Sequence, residues 1–239
     1  MKESAARLPS SDALGLFSKP LSIAIAAMAD RTFVYVDGES HFIRTENAWR
    51  KLHGEQASLD RLRYIDEASD QLILVDSKAK VFWTRKMNPG ASRAYYFTSA
   101  AGDDGALHKL RVTLRNFELE PIVLAERSQL AKQRQNVLQS QCLIEKPKGA
   151  DIALAVRMLQ DAISGFFDVC HLYTSDIDFL PLIQAVRAEG KRVYVHGYRD
   201  GMSEHSPFYH ECDLFADLEN MLRNECEINP ANVRLSTQG

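Results

Sequence analysis

Phe33-Val34-Tyr35-Val36-Asp37-Gly38-Glu39 is an apolar run that ends on a carboxylate, and its reading decides the fold. Four consecutive aromatic and β-branched residues read as a buried strand, and Asp37 stands where that strand stops. Val169-Cys170-His171-Leu172-Tyr173 repeats the arrangement ahead of Thr174-Ser175-Asp176-Ile177-Asp178. Further strand-like runs fall at 94–98, 122–124 and 193–197, and helical patterns separate most of them. Strands alternating with helices in this way build βαβ units around a mainly parallel sheet, the α/β class.

The helices are legible from apolar spacing. Leu107, Leu110, Leu114 and Phe117 recur at helical intervals after the turn Gly102-Asp103-Asp104-Gly105. Residues 151–164 are predicted to be a second helix, with Ile152, Ala155, Val156, Leu159 and Ile163 as its apolar stripe and Gly165 as its stop. A third covers 179–189, with Pro181 tolerated in the first turn and Gly190 just past the end. Residues 71–75 and 80–84 read as a hairpin around Asp76-Ser77-Lys78-Ala79, inside an insertion at 60–93. The expected organisation is a tail with a short helix over 1–30, one folded domain over 31–222, and a C-terminal tail over 223–239.

With 239 residues, 45% of them hydrophobic and 26% charged, the chain can bury a substantial core. Its formal net charge of -3 provides no general basic field, so nucleic-acid binding requires a local patch. Lys109, Arg111, Arg115, Lys132, Arg134, Lys191 and Arg192 are the candidates for a backbone track, against the alternative of ordinary solvated faces. Cys142, Cys170, Cys212 and Cys226 form no Cys-x-x-Cys pair, which points to a reduced, cytoplasmic protein. The apolar stretch 21–28 is too short to span a bilayer and follows no strongly basic segment, so no membrane partner is expected.

Ligands of open α/β sheets bind at the carboxyl ends of the strands. Asp37 and Asp176 stand at two such ends, with Asp151 and Asp178 beside helix starts. Carboxylates gathered there repel one another unless protonated or bridged by a cation, and oxygen donors suit Mg²⁺ or Mn²⁺. Each has a plainer reading: Asp37-Gly38 as a turn, Asp151 and Asp178 as helix caps. Glu39 is either a ligand or supporting residue, or a solvated first-turn glutamate favoured by the helix dipole. Lys148 and Arg157 are read as phosphate contacts or as surface cations, and Ser175 as a hydrogen-bond donor to water or substrate. His205, His210 and Cys212 lack a fourth ligand at suitable spacing, and no zinc site is assigned.

The segments Phe33–Glu39, Arg93-Ala94-Tyr95-Tyr96-Phe97, Lys148-Gly149-Ala150-Asp151 and Thr174-Ser175-Asp176-Ile177-Asp178, followed by Gly190-Lys191-Arg192-Val193-Tyr194-Val195 and Cys212-Asp213-Leu214-Phe215, resemble in order the NYN domains of the LabA-like group. These are relatives of PIN-domain ribonucleases. The resemblance implies a PIN-like, Rossmann-like three-layer α/β/α fold and divalent-metal-dependent endonucleolytic hydrolysis of RNA. It places the family's aspartates on Asp37, Asp151, Asp176 and Asp178. Two positions depart from the family pattern: Glu39 stands where Asn is common, and Arg157 where Asp is common. The reading is therefore an Mg²⁺- or Mn²⁺-dependent endoribonuclease acting on single-stranded or looped RNA, with homo-oligomerisation left open. Its rival is a catalytically weak RNA-binding or scaffold protein that keeps the fold. A phosphatase of the haloacid dehalogenase type would need Asp-x-Asp after the first strand, where this chain has Asp37-Gly38-Glu39.

Overall fold

In the computed structural model of the protein, the residues described are 30–64, 73–126, 149–200, 202–203 and 205–228. The expected N-terminal tail up to residue 29, the segment 229–239, and Lys132, Arg134, Cys142 and Lys148 lie outside them. The chain divides into two units, Met1–Asp30 and Arg31–Gly239, and every element below belongs to the second. In order these are β1 (Thr32–Asp37), α1 (Gly38–His53), β2 (Leu62–Tyr64), β3 (Ile73–Asp76), β4 (Val81–Thr84), β5 (Arg93–Ala100), α2 (Asp104–Asn116), β6 (Glu120–Ala125), α3 (Gly149–Ile163), β7 (Val169–Tyr173), α4 (Leu180–Ala188), β8 (Arg192–Gly197), α5 (Phe208–Glu211), β9 (Leu214–Asp217), α6 (Glu219–Glu225) and β10 (Cys226–Ile228).

The main sheet has six strands in the order β6-β5-β1-β7-β8-β9, and every neighbouring pair is parallel. The chain builds outward from β1 through β5 to β6, returns through α3 to β7 on the other side of β1, and builds outward again. The direction of growth reverses between β1 and β7. At such a reversal the connecting segments leave the two strand ends in opposite directions and open a crevice.

Both faces of the sheet are covered, which is why its strands read as unbroken apolar runs. Along β1, Val34 and Val36 join one core with Trp49, Trp83, Tyr96, Leu114 and Leu222, supplied by α1, α2, α6 and the β3–β4 hairpin. Phe33 and Tyr35 point the other way, into a core with Leu154, Met158, Ile183, Val186 and Phe208 from α3, α4 and α5. The result is the three-layer α/β/α arrangement. Trp49 and Trp83 are 0% and 1% exposed, and burial of a large apolar side chain contributes about 1.5–3 kcal/mol. Among the described residues no helix is long and apolar enough to cross a membrane.

Two features differ from the sequence reading. Three of the five residues in the stripe expected to bury α3 face outward: Ile152, Val156 and Ile163 are 59%, 49% and 64% exposed, while Ala155 and Leu159 pack partly buried against the core and Leu154, Met158, Asp161 and Ala162 are buried. The helix carries two apolar stripes, and a polar demand decides between them. The buried Tyr35 hydroxyl needs a partner and donates to Asp161 Oδ2 at 2.8 Å, which turns Asp161 and its neighbours toward the sheet. Residues 223–228, the described part of the expected C-terminal tail 223–239, also take regular structure. Through Ile228 they continue α6 and then pair with β2 antiparallel, because Leu222 and Cys226 fill the first core.

Candidate functional site

The crevice at the reversal is lined by the two strand ends that the sequence marks with aspartate. Asp37 is only 4% exposed, and its backbone is extended, so the chain turns directly from β1 into α1. Its Oδ1 accepts the Ser40 amide at 3.3 Å, which caps the helix. Its Oδ2 accepts the Thr174 hydroxyl at 2.8 Å. The same Thr174 oxygen accepts the Asp176 amide at 3.1 Å, and the Asp176 carboxylate accepts the Asp178 amide at 3.0 Å, capping the short 3-10 turn Ile177–Phe179. A continuous run of hydrogen bonds therefore joins the ends of β1 and β7.

Two glycines permit this closeness. A Cβ on Gly38 would sit 2.5 Å from the Phe97 carbonyl oxygen and 2.5 Å from a Tyr96 ring carbon. A Cβ on Gly197 would sit 2.6 Å from the Thr174 carbonyl oxygen. Both positions flank the carboxylates, and neither admits a side chain without backbone movement.

Burial pushes the Asp37 carboxyl up to about 7; the Thr174 hydroxyl and Ser40 amide oppose that rise, while the charges of Asp151 and Asp176 add to it. The charges of Asp151 and Asp176 thus both reach Asp37. Asp178 lies at the exposed rim of these carboxylates. Among the described residues, no three His, Cys, Asp or Glu side chains stand in ligating geometry around one point. These carboxylates offer only oxygen atoms, and a carboxyl that burial above all, with the charges of Asp151 and Asp176 adding to it, keeps from ionising is the state that a hard cation relieves.

The NYN domain family model matches residues 31–219, from before β1 to the start of α6. This chain belongs to the NYN domain family. Membership associates it with PIN-like nuclease and RNA-binding functions. The NYN chain is also similar to a crystal structure of a protein of unknown function from Vibrio parahaemolyticus, at 12% identity and a TM-score of 0.43 over 79% of this chain and 93% of that one. No curated protein matches it.

The remaining expected site residues of the NYN domain take other places. The Arg157 guanidinium is committed to the buried Asp161, at 2.9 Å, and to the Tyr95 hydroxyl, and it stacks 4.5 Å from the Tyr95 ring centre. Glu39 pairs with Lys80 of the hairpin turn. Ser175 is buried, and its Oγ accepts the Tyr198 amide at 3.0 Å. Asp151 is not an N-cap, since α3 begins two residues earlier at Gly149. Asp178 does not cap α4, whose N-cap position is Phe179.

Among the described residues, Lys191, Arg192 and Arg111 do not join one track to the site. Lys191 and Arg192 stand at the start of β8, the end of the sheet opposite the carboxylates. Arg111 is bonded to the Val123 carbonyl oxygen at 2.9 Å. Sequence reasoning gave no role to Thr174, Lys80 or Arg44. For Thr174 the signal was its place between a strand end and Asp176; for the other two it was absent, because only the fold brings them to the rim.

Proposed function

We propose that this NYN domain is a divalent-metal-dependent endoribonuclease that hydrolyses RNA phosphodiester bonds with Asp37, Asp151 and Asp176 at Mg²⁺ or Mn²⁺ and Asp178 at the rim. The observation that carries the reading is the position and state of Asp37: at the sheet reversal, buried, and pushed up to about 7 in the company of Asp151 and Asp176. When bound, the cation neutralises phosphate oxygens and lowers the pKa of a water so that hydroxide is available near neutral pH. Thr174 holds Asp37 in one orientation, and the Asp178 amide holds Asp176. Asp178, at the exposed rim, positions water or the incoming backbone. Single-stranded or looped RNA is the substrate, because an unpaired strand can bend its backbone into the crevice. The buried free thiols of Cys170 and Cys212 accord with a cytoplasmic setting.

A second reading, a catalytically weak RNA-binding or scaffold protein, draws on the carboxylates standing outside ligating geometry and on Arg157, where the family commonly has Asp. Incubation of the full chain with single-stranded RNA in Mn²⁺ or in EDTA, with sequencing of the ends, separates the two. Cuts made in Mn²⁺ and absent in EDTA support the nuclease. RNA that is bound but uncut in Mn²⁺ supports the scaffold.

A further inference from the structure

Beside the carboxylates lies a cavity of about 490 Å³, within the range of about 300–1,000 Å³ usual for small-ligand sites. Ser40, Arg44, Asp176, Ile177, Met202 and Ser203 are among its walls. Asp176 belongs both to this cavity and to the carboxylate group, so a ligand seated here is next to the bond that the proposed reaction would break. Ser40 and Arg44 are one helical turn apart on α1, directly after the Asp37 cap.

Arg44 is the unusual member. On the same helix Arg50 pairs with Glu46 at 2.9 Å, and across the fold Arg31, Arg157 and Arg187 each pair with an aspartate. Arg44 has no carboxylate partner among the described residues; its guanidinium makes one long bond, 3.4 Å, to the Asp200 carbonyl oxygen. A cation with no carboxylate partner among the described residues, beside an acidic group that would repel anions, suits a phosphate. Ser40 and Ser203 add hydroxyls suited to ribose oxygens. Ile177, 45% exposed, and Met202 add apolar surface suited to a base.

We propose that this cavity is a subsite for the RNA nucleotide adjoining the scissile phosphodiester, with Arg44 binding that nucleotide's phosphate. The proposal rests on the ribonuclease reading for its place in the reaction, but the binding itself is tested without turnover. The full chain is titrated with uridine 5′-monophosphate and with uridine, followed by NMR, for the parent, Arg44→Gln and Arg44→Lys. The monophosphate should bind the parent saturably and shift the Ser40, Ile177 and Ser203 amides. Arg44→Gln should weaken it about tenfold or more, the loss of one charge-assisted donor, while uridine binding is unchanged and Arg44→Lys recovers part of the loss. No saturable binding, or equal affinity in the parent and Arg44→Gln, overturns the subsite even if the chain cleaves RNA. Monophosphate binding through Arg44 in a chain that leaves RNA uncut in Mn²⁺ upholds nucleotide binding at this cavity and overturns both the nuclease and the cavity's place beside a scissile bond.

Discussion

Thr174 donates its hydroxyl proton to Asp37 Oδ2 across 2.8 Å and so ties the end of β7 to the end of β1 at the point where the sheet reverses. The bond opposes the upward push of burial on the Asp37 carboxyl. Thr174→Val keeps the shape and deletes the donor, leaving the Asp37 oxygen and the Asp176 amide short of a partner. The Asp37 titration should move further upward, and the fold should lose about 1–3 kcal/mol, the cost of a buried polar group left unsatisfied. Thr174→Ser should restore both. NMR titration of the Asp37 carboxyl and denaturant midpoints read the two effects; a titration that does not move contradicts the role.

Asp37 makes stability depend on pH in a direction opposite to that of a salt-bridged carboxylate. Its folded pKa, about 7, lies above the ordinary value of 3.8, so the fold holds the proton more tightly than the unfolded chain. The stability it contributes is complete below that lower value and is lost as pH rises through about 7. In EDTA, chemical denaturation across this window should show a decline that Asp37→Asn makes shallower. Added Mn²⁺ should raise the melting temperature more at alkaline than at acid pH, because protons compete for the same oxygens.

His171 and His196 act in the other direction. Their rings meet at 2.7 Å, Nδ1 to Nε2, so one neutral ring donates and the other accepts. Burial lowers His171 to about 4, and burial with the neighbouring His171 and His41 lowers His196 to about 3. Both lie below the ordinary 6.5, so the stability they contribute is present above that value and is lost as pH falls toward about 4. His171→Gln should flatten the acid limb of a pH-stability profile while leaving the alkaline limb, set by Asp37, in place.

Gly38→Ala and Gly197→Ala should each destabilise by about 1–3 kcal/mol, the usual cost of overpacking, because the added carbon meets backbone oxygens that cannot move independently. Denaturant midpoints measure the cost. Wild-type stability in both variants contradicts the close packing described at the strand ends.

The parallel sheet was legible because strands covered on both faces leave continuous apolar strings, and the aspartates ending 33–37 and preceding 177 mark their carboxyl ends. The strand order was not, since pairing β1 with β7 is a contact between segments more than a hundred residues apart. The rotation of α3 misled for a physical reason. Asp161 reads as a solvent-facing residue until Tyr35 and Arg157 are known to meet it. Of the candidate site, Asp37, Asp151 and Asp176 could be singled out by type and place. Thr174 is marked only by its place between a strand end and Asp176, Arg44 has no distinguishing neighbours in sequence, and Arg157 looked available for phosphate until its buried partner was located. Cys226 looked like part of a tail because a single apolar residue among polar ones does not announce a core contact.

We propose that the charges of Asp37 and Asp176 serve a cation, while the caps that the two side chains form need only an oxygen. Asn nearly preserves the shape of each side chain and still caps a helix, so it isolates the charge. Denaturant midpoints in EDTA and RNA cleavage rates in Mn²⁺, for Asp37→Asn, Asp176→Asn and the parent, are the direct measurement. The expected result is stability equal to or above the parent's, from relief of like-charge repulsion, together with loss of cleavage. Variants that unfold more easily yet cut RNA at the parent's rate would contradict it.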